Sequence, residues 1–235
     1  MVEKSIAIMQ PYFLPYIGYF QLIQSVDEFI IYDNIQYTKK GWINRNRILV
    51  EGTDKVFTIP LKKDSDFLNV YEREISSDWT KDRLKIINQI KTYSKAPYFK
   101  EVFPLIEKIF NSNISNLFEF IYNSLTIINE YLEIKTKIVI SSTIDIDHNL
   151  KSQDKVIAIC KKRNATQYIN AIGGVELYDK IDFQNNNIKL NFIKSDPIIY
   201  KQFKNEFIPW LSIIDVMMFN SKEEISKYLK SYTLI

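Results

Sequence analysis

The 235-residue chain holds 31 basic and 28 acidic residues, a net charge of +3, and is 46% hydrophobic. That is ample for a buried core and too evenly charged for bulk nucleic-acid binding, which uses a concentrated basic face. One cysteine, Cys160, and one histidine, His148, exclude an internal disulfide, a multi-cysteine zinc site and a histidine-rich metal centre.

Residues 5–9 are short and apolar, as a buried parallel strand should be. QPYFLP follows and cannot be helical, because Pro11 and Pro15 lack an N–H and restrict the residue before them. Residues 17–26 then read as a helix, with Ile17, Phe20, Leu22 and Ile23 sharing a face. A second strand over 28–32 ends at Asp33. A polar loop runs from there to Arg47, too dense in polar groups for a core. Residues 55–61 alternate as a strand, 62–69 form a polar loop, and 70–75 read as a short edge strand.

Asp78 is placed to cap a helix over 79–93. A second helix follows over 99–110, with Pro104 as a defect or boundary, and a third over 117–131 carries an apolar stripe. Strands return at 137–142, 166–170 and 188–193. Helices are expected at 152–164, from Gly173–Gly174 to Tyr178, at 210–219 and at 222–230. The order β-α-β, helices, β-α-β-α-β predicts one Rossmann-like α/β domain over 1–235. Its mostly parallel sheet is flanked by helices, with 78–134 as a helical insertion or lid.

Loops after strand ends in such a sheet are where ligands bind. Gln10 ends the first strand with both a donor and an acceptor. Asp33 ends the second and is a candidate general base, magnesium ligand or partner for Arg45 or Arg47. Lys40, Arg45 and Arg47 supply fixed charge for a diphosphate. Tyr37 and Trp42 offer flat faces to a base or sugar ring, and Gln36, Asn44 and Asn46 offer amides. Gly18 allows a close backbone approach. Gly173 and Gly174 free backbone N–H groups for an anion at a helix start, with Tyr178 nearby. Tyr200 and Gln202 add polar contacts. Asp215, amid apolar residues, needs a partner, and an arginine of the 45–47 loop is the candidate. Cys160 reads as a buried thiol and His148 as a loop residue.

QPYFLPYIGYFQLI followed by YDNIQYTKKGWINRNRI resembles the WbqC-like family, and the resemblance resumes at WTKDRLKIINQIKTYSKAPYF, ATQYINAIGGVELYDKIDF and LSIIDVMMFN. The family is known mainly from bacterial O-antigen and other surface-polysaccharide gene clusters. The resemblance implies a transferase that moves an acyl or aminoacyl group, glycyl among them, onto the amine of a nucleotide-linked amino sugar. On that reading Asp33, Gln10 and Tyr19 are the catalytic candidates, and Tyr12 joins the binding residues. ATP with magnesium is required if the acyl group is activated in place; an acyl thioester on a carrier is the alternative. A non-catalytic nucleotide-sugar scaffold and a nucleotidyltransferase are the rivals. Against the latter, the helix-opening segment PYIGYF has Tyr16 and Tyr19 where nucleotidyltransferase-type folds carry two phosphate-binding histidines. The N-terminus has no long apolar segment and no run spans a bilayer, so a cytoplasmic protein without nucleic-acid partners is expected.

Overall fold

The computed structural model describes residues 3–204 and 206–235; Met1 and Val2, part of the N-terminal reading, lie outside them. Strands β1 (Ser5–Met9) and β2 (Glu28–Ile31) flank helix α1 (Ile17–Gln24). A hairpin follows, β3 (Arg45–Val50) and β4 (Thr53–Thr58). Helices α2 (Trp79–Ile90), α3 (Phe99–Phe110) and α4 (Leu117–Tyr131) come next. The chain then alternates through β5 (Lys137–Ile140), α5 (Ser152–Lys162), β6 (Gln167–Ala171), α6 (Lys180–Asn185) and β7 (Lys189–Ser195). It closes with α7 (Ile213–Phe219), α8 (Lys222–Tyr228) and β8 (Tyr232–Leu234).

Six strands form one sheet in the order β5-β2-β1-β6-β7-β8, parallel throughout except for the antiparallel β7–β8 edge. Successive side chains of a strand point to opposite faces. Ala7, Phe29 and Ile31 therefore enter the larger core with α1, α2, α3, α4 and α7, whereas Ile6, Ile8 and Ile30 enter a smaller one with α5 and α6. This is the α/β architecture that the element order predicts. From β1 the chain moves outward to β2 on one side and later places β6 on the other. The carboxyl ends of β1 and β6 thus diverge at a switch point, where open α/β sheets place ligands.

The polar stretch expected as a loop to Arg47 instead enters β3, paired residue for residue with β4 from Arg45↔Thr58 to Val50↔Thr53. Its turn residues, Glu51 and Gly52, both have positive φ, as a tight two-residue hairpin requires. Polar side chains at Arg45, Asn46 and Arg47 hide the strand's apolar alternation. The edge strand expected at 70–75 is a 3₁₀ turn, Val70–Glu72, beside isolated bridges Leu61↔Ile75 and Glu74↔Asn116. Gly173 and Gly174 lie in a 3₁₀ turn, Ile172–Leu177, rather than an α-helix. The helix expected from 210 begins at Ile213, because the Ser212 hydroxyl caps it by accepting from Ile214 N. Helix α6 and strand β8 are additional elements.

The helical segment over 79–131 packs into the larger core. Its apolar faces complete the larger core, where Phe13 of the QPYFLP loop meets Phe57, Phe110 and Phe120 at ring-centre distances of 5.3–6.0 Å. That loop is held from several sides. Asn46 Nδ2 donates to the carbonyls of Phe13 (3.1 Å) and Leu14 (2.8 Å). Ser212 Oγ donates to Leu14 O at 2.7 Å. Leu14 is fully buried with φ 44°, a conformation costly for a side chain of its size and kept only where surroundings enforce it. The anchored loop fixes where α1 starts and so shapes the sheet end beside it.

Candidate functional site

A cleft of about 610 Å³ opens at the switch point. Gln10 and Tyr12 reach it from the β1 loop, Gly18 and Tyr19 from α1, Tyr32 and Gln36 from the segment after β2, and Asn170, Gly173, Gly174 and Tyr178 from the segment after β6. Among the described residues no Asp, Glu, Lys, Arg, His or Cys lines it. Its polar groups are phenols, amides and backbone.

The phenols are neutral donors and acceptors. Burial raises the pKa of Tyr12, Tyr19 and Tyr178, and takes Tyr32 up to about 12 with help from nearby Tyr178. The Tyr19 hydroxyl is already committed, donating to Gln10 O at 2.9 Å. Tyr19 therefore fixes the loop backbone. The Tyr178 and Tyr168 hydroxyls lie 3.3 Å apart. Asn170 Oδ1 accepts from Ala171 N at 2.9 Å, and a Cβ on Gly174 would run into its amide. A side chain at position 174 would have to displace that amide. Gly173 has open space where a Cβ would stand. At Gly18 the close neighbour is the ring of Tyr16, which lies across the start of α1.

A second hollow of about 270 Å³ adjoins the cleft and shares Tyr12 and Tyr16 with it; Pro15, Trp42, Asn46, Arg47 and Trp210 complete its wall. The guanidinium groups of Arg45 and Arg47 lie 5.3 and 5.9 Å from the Trp42 ring centre, within cation–π range. Arg47 pairs with Asp54 at 2.8 Å and Arg45 donates to Lys40 O.

The remaining candidates have other partners. Asn44 accepts from the Tyr37 hydroxyl and donates to Ile59 O, so both residues hold the start of the hairpin together. Asn46 is committed to the β1 loop. Lys40 is exposed beside neither hollow. Asp33 is only 2% exposed and does not line the cleft. Its Oδ1 accepts from Ser142 N at 2.9 Å, and it is not paired with Arg45 or Arg47. Asp215 meets no arginine either. Its carboxylate accepts from Tyr93 (2.7 Å), Tyr200 (2.6 Å) and Gln202 (2.7 Å), while burial raises its pKa against those hydrogen bonds. Tyr200 and Gln202 are thereby structural partners of Asp215. Cys160 is fully buried, which pushes its thiol up to about 12 and removes it as a nucleophile.

Four residues gain weight only from the structure. Tyr16 borders both hollows, and Tyr32 and Asn170 line the cleft. Lys155 is 4% exposed, with Nζ 5.0 Å from the Tyr32 ring centre and 3.3 Å from His148 O, which it donates to. Burial lowers its pKa, and Asp33 works in the opposite direction. Tyr32 follows β2 directly, Asn170 sits near the carboxyl end of β6, Tyr16 immediately precedes α1 and Lys155 lies in the first turn of α5; those positions at element ends were the one available signal.

Among the described residues, no cluster of three or more His, Cys, Asp or Glu side chains is arranged to hold a metal, and no helix is long and apolar enough to cross a membrane. No solved structure gives a significant match to the chain. The chain is 30% identical over 234 residues to the uncharacterized protein Rv1507c of Mycobacterium tuberculosis (strain ATCC 25618 / H37Rv), covering 97% of this chain and 98% of that one. The model of the WbqC-like protein family matches residues 10–227, from the cleft residue Gln10 almost to the end of α8. The chain belongs to the WbqC-like protein family.

Proposed function

We propose that the protein binds a nucleotide-linked amino sugar at the switch point and transfers an acyl or aminoacyl group to its amine, in surface-glycan biosynthesis in the cytoplasm. The observation that carries this reading is the pairing of two unlike surfaces. An uncharged cleft rich in tyrosine, glutamine and asparagine meets, at Tyr12 and Tyr16, a hollow walled by Trp42 and Arg47. A sugar ring presents hydroxyls and one apolar face, which neutral phenols and amides match. A diphosphate and a base call for guanidinium groups and an aromatic face. A ligand carrying both parts finds both surfaces side by side.

The chemistry asked of the cleft is modest when the acyl group arrives as a thioester. The neutral amine attacks the carbonyl carbon, a C–N bond forms, the C–S bond breaks, and the thiol leaves with the proton that the nitrogen gives up. The cleft's part is to align the amine and to donate hydrogen bonds to the developing oxyanion, which the Gln10 amide, the Tyr32 hydroxyl and the backbone N–H groups at Gly173–Gly174, all on the cleft lining, can supply. A preactivated donor suits a cleft with no charged side chain better than activation by ATP in place. A scaffold that binds the nucleotide sugar without reacting is the second reading, favoured by that same lack of an acid–base pair.

The test is a transfer assay with the intact protein, a panel of UDP-, dTDP- and GDP-linked amino sugars and acyl thioesters. Formation of the amide, matched one to one by free thiol, is expected with one sugar of the panel. Saturable sugar binding without thiol release at any donor overturns catalysis and leaves the scaffold reading.

A further inference from the structure

A third cavity, of about 430 Å³, lies on the far side of Tyr16. Its walls include Ile198, Ile199, Phe207, Trp210 and Leu211, with Ser195, Asp196 and Tyr200 as its polar members beside Tyr16. Tyr16 is the one residue common to this cavity, the cleft and the Trp42 hollow. Its ring is laid across Gly18, which a side chain there would prevent. Three surfaces of different chemistry therefore meet at one phenol: neutral polar, cationic-aromatic and apolar.

We propose that this apolar cavity holds the aliphatic chain of an acyl donor, delivering its carbonyl beside Tyr16 to the amine of a sugar bound in the cleft. The inference rests on the acyl-transfer reading above and narrows it to a donor with a chain of several carbons. Ile199 and Trp210 on the cavity wall are 71% and 72% exposed. Large apolar side chains left this open to water are relieved by an apolar ligand. The volume lies in the range of small-molecule sites and would remain mostly empty around a formyl, acetyl or glycyl group. A glycyl donor would also bring an ammonium into a cavity whose single charged lining residue, Asp196, is exposed. An aliphatic chain leaves no polar group unpaired there.

The experiment is calorimetric titration of the full chain with acetyl-, butyryl-, octanoyl- and dodecanoyl-coenzyme A, with free coenzyme A as reference. Affinity should rise roughly threefold to fourfold per added methylene until the cavity is full, the gain expected for burying a CH₂. Ile199→Asp and Phe207→Ala alter side chains that wall this cavity and neither of the others, and each should flatten the dependence on chain length. Equal affinity for acetyl and dodecanoyl donors overturns the proposal, as does a chain-length dependence that neither variant changes. The same samples titrated with the nucleotide-linked amino sugars separate the two readings. Sugar binding with no chain-length effect sinks only the apolar subsite. A chain-length effect abolished by both variants, without any sugar binding, keeps the subsite and removes the sugar-acylating function.

Discussion

Asp33 shows how far a residue's chemistry and its place diverge. A carboxylate at a strand end, followed by arginines, is what a general base looks like in sequence. In the fold it is buried, faces the Ser142 amide and leaves the cleft to neutral groups. Asn at this position keeps the same acceptor oxygen for Ser142 N. Asp33→Asn is therefore expected to fold and to transfer the acyl group within about threefold of the parent, under about 1 kcal/mol of activation free energy. A loss of a hundredfold or more in kcat, with sugar affinity kept, would make Asp33 the base after all. Asn44, Asn46, Tyr200 and Gln202 carry the same lesson. An amide or phenol that reads a sugar hydroxyl is chemically the same as one that satisfies a buried carbonyl or carboxylate. Here the partners are Ile59, Phe13, Leu14 and Asp215, up to 33 residues away, and nothing local in the sequence names them.

At the scale of elements, the parallel strands were legible because each centres on a short apolar run, which in β1, β2 and β6 is buried on both faces. The helices at 99–110 and 117–131 were legible from their apolar stripes. The hairpin strand β3 was not, since half-buried Arg45 and Arg47 and buried Asn46 break the apolar pattern. The amino end of β2 holds a network remote from the cleft. Glu28 accepts from Arg163 at 2.7 and 2.8 Å and lies 3.2 Å from both Lys4 and Lys137. Arg163, first, and then the lysines hold the Glu28 carboxyl down to about 2, against its burial. A carboxylate whose folded pKa is depressed contributes stability above its unfolded value. That contribution is lost as pH falls from about 4.5 toward about 2. Glu28→Gln should cost about 2 kcal/mol at pH 7, the scale of hydrogen bonds to a charged group. The gap between variant and parent, read from urea midpoints, should close as pH approaches 2. A gap that stays constant across that window would mean the network acts through packing instead of charge.

For the whole molecule, the site is a product of topology. Gln10 and Asn170 are 160 residues apart and meet only because β6 docks on the side of β1 that β2 leaves free. The sequence supports the sheet, and with it the expectation that strand ends matter. It does not show that the arginine-rich loop lies beside the cleft instead of in it, or that Tyr16 stands where three cavities meet. The measurement that bears most directly on the central claim is a thermal-midpoint series with UDP-, dTDP- and GDP-linked amino sugars on the parent and on Gly173→Leu. Gly173 is exposed and has open space at its Cβ, so the variant keeps its fold and places a side chain in the cleft. A ligand that binds only the folded state raises the midpoint by linkage. The account predicts that one amino-sugar nucleotide stabilises the parent by several degrees and loses that effect in Gly173→Leu, with the ligand-free midpoint unchanged. A shift that persists in Gly173→Leu, or its absence in the parent at millimolar ligand, would contradict a sugar site at the switch point.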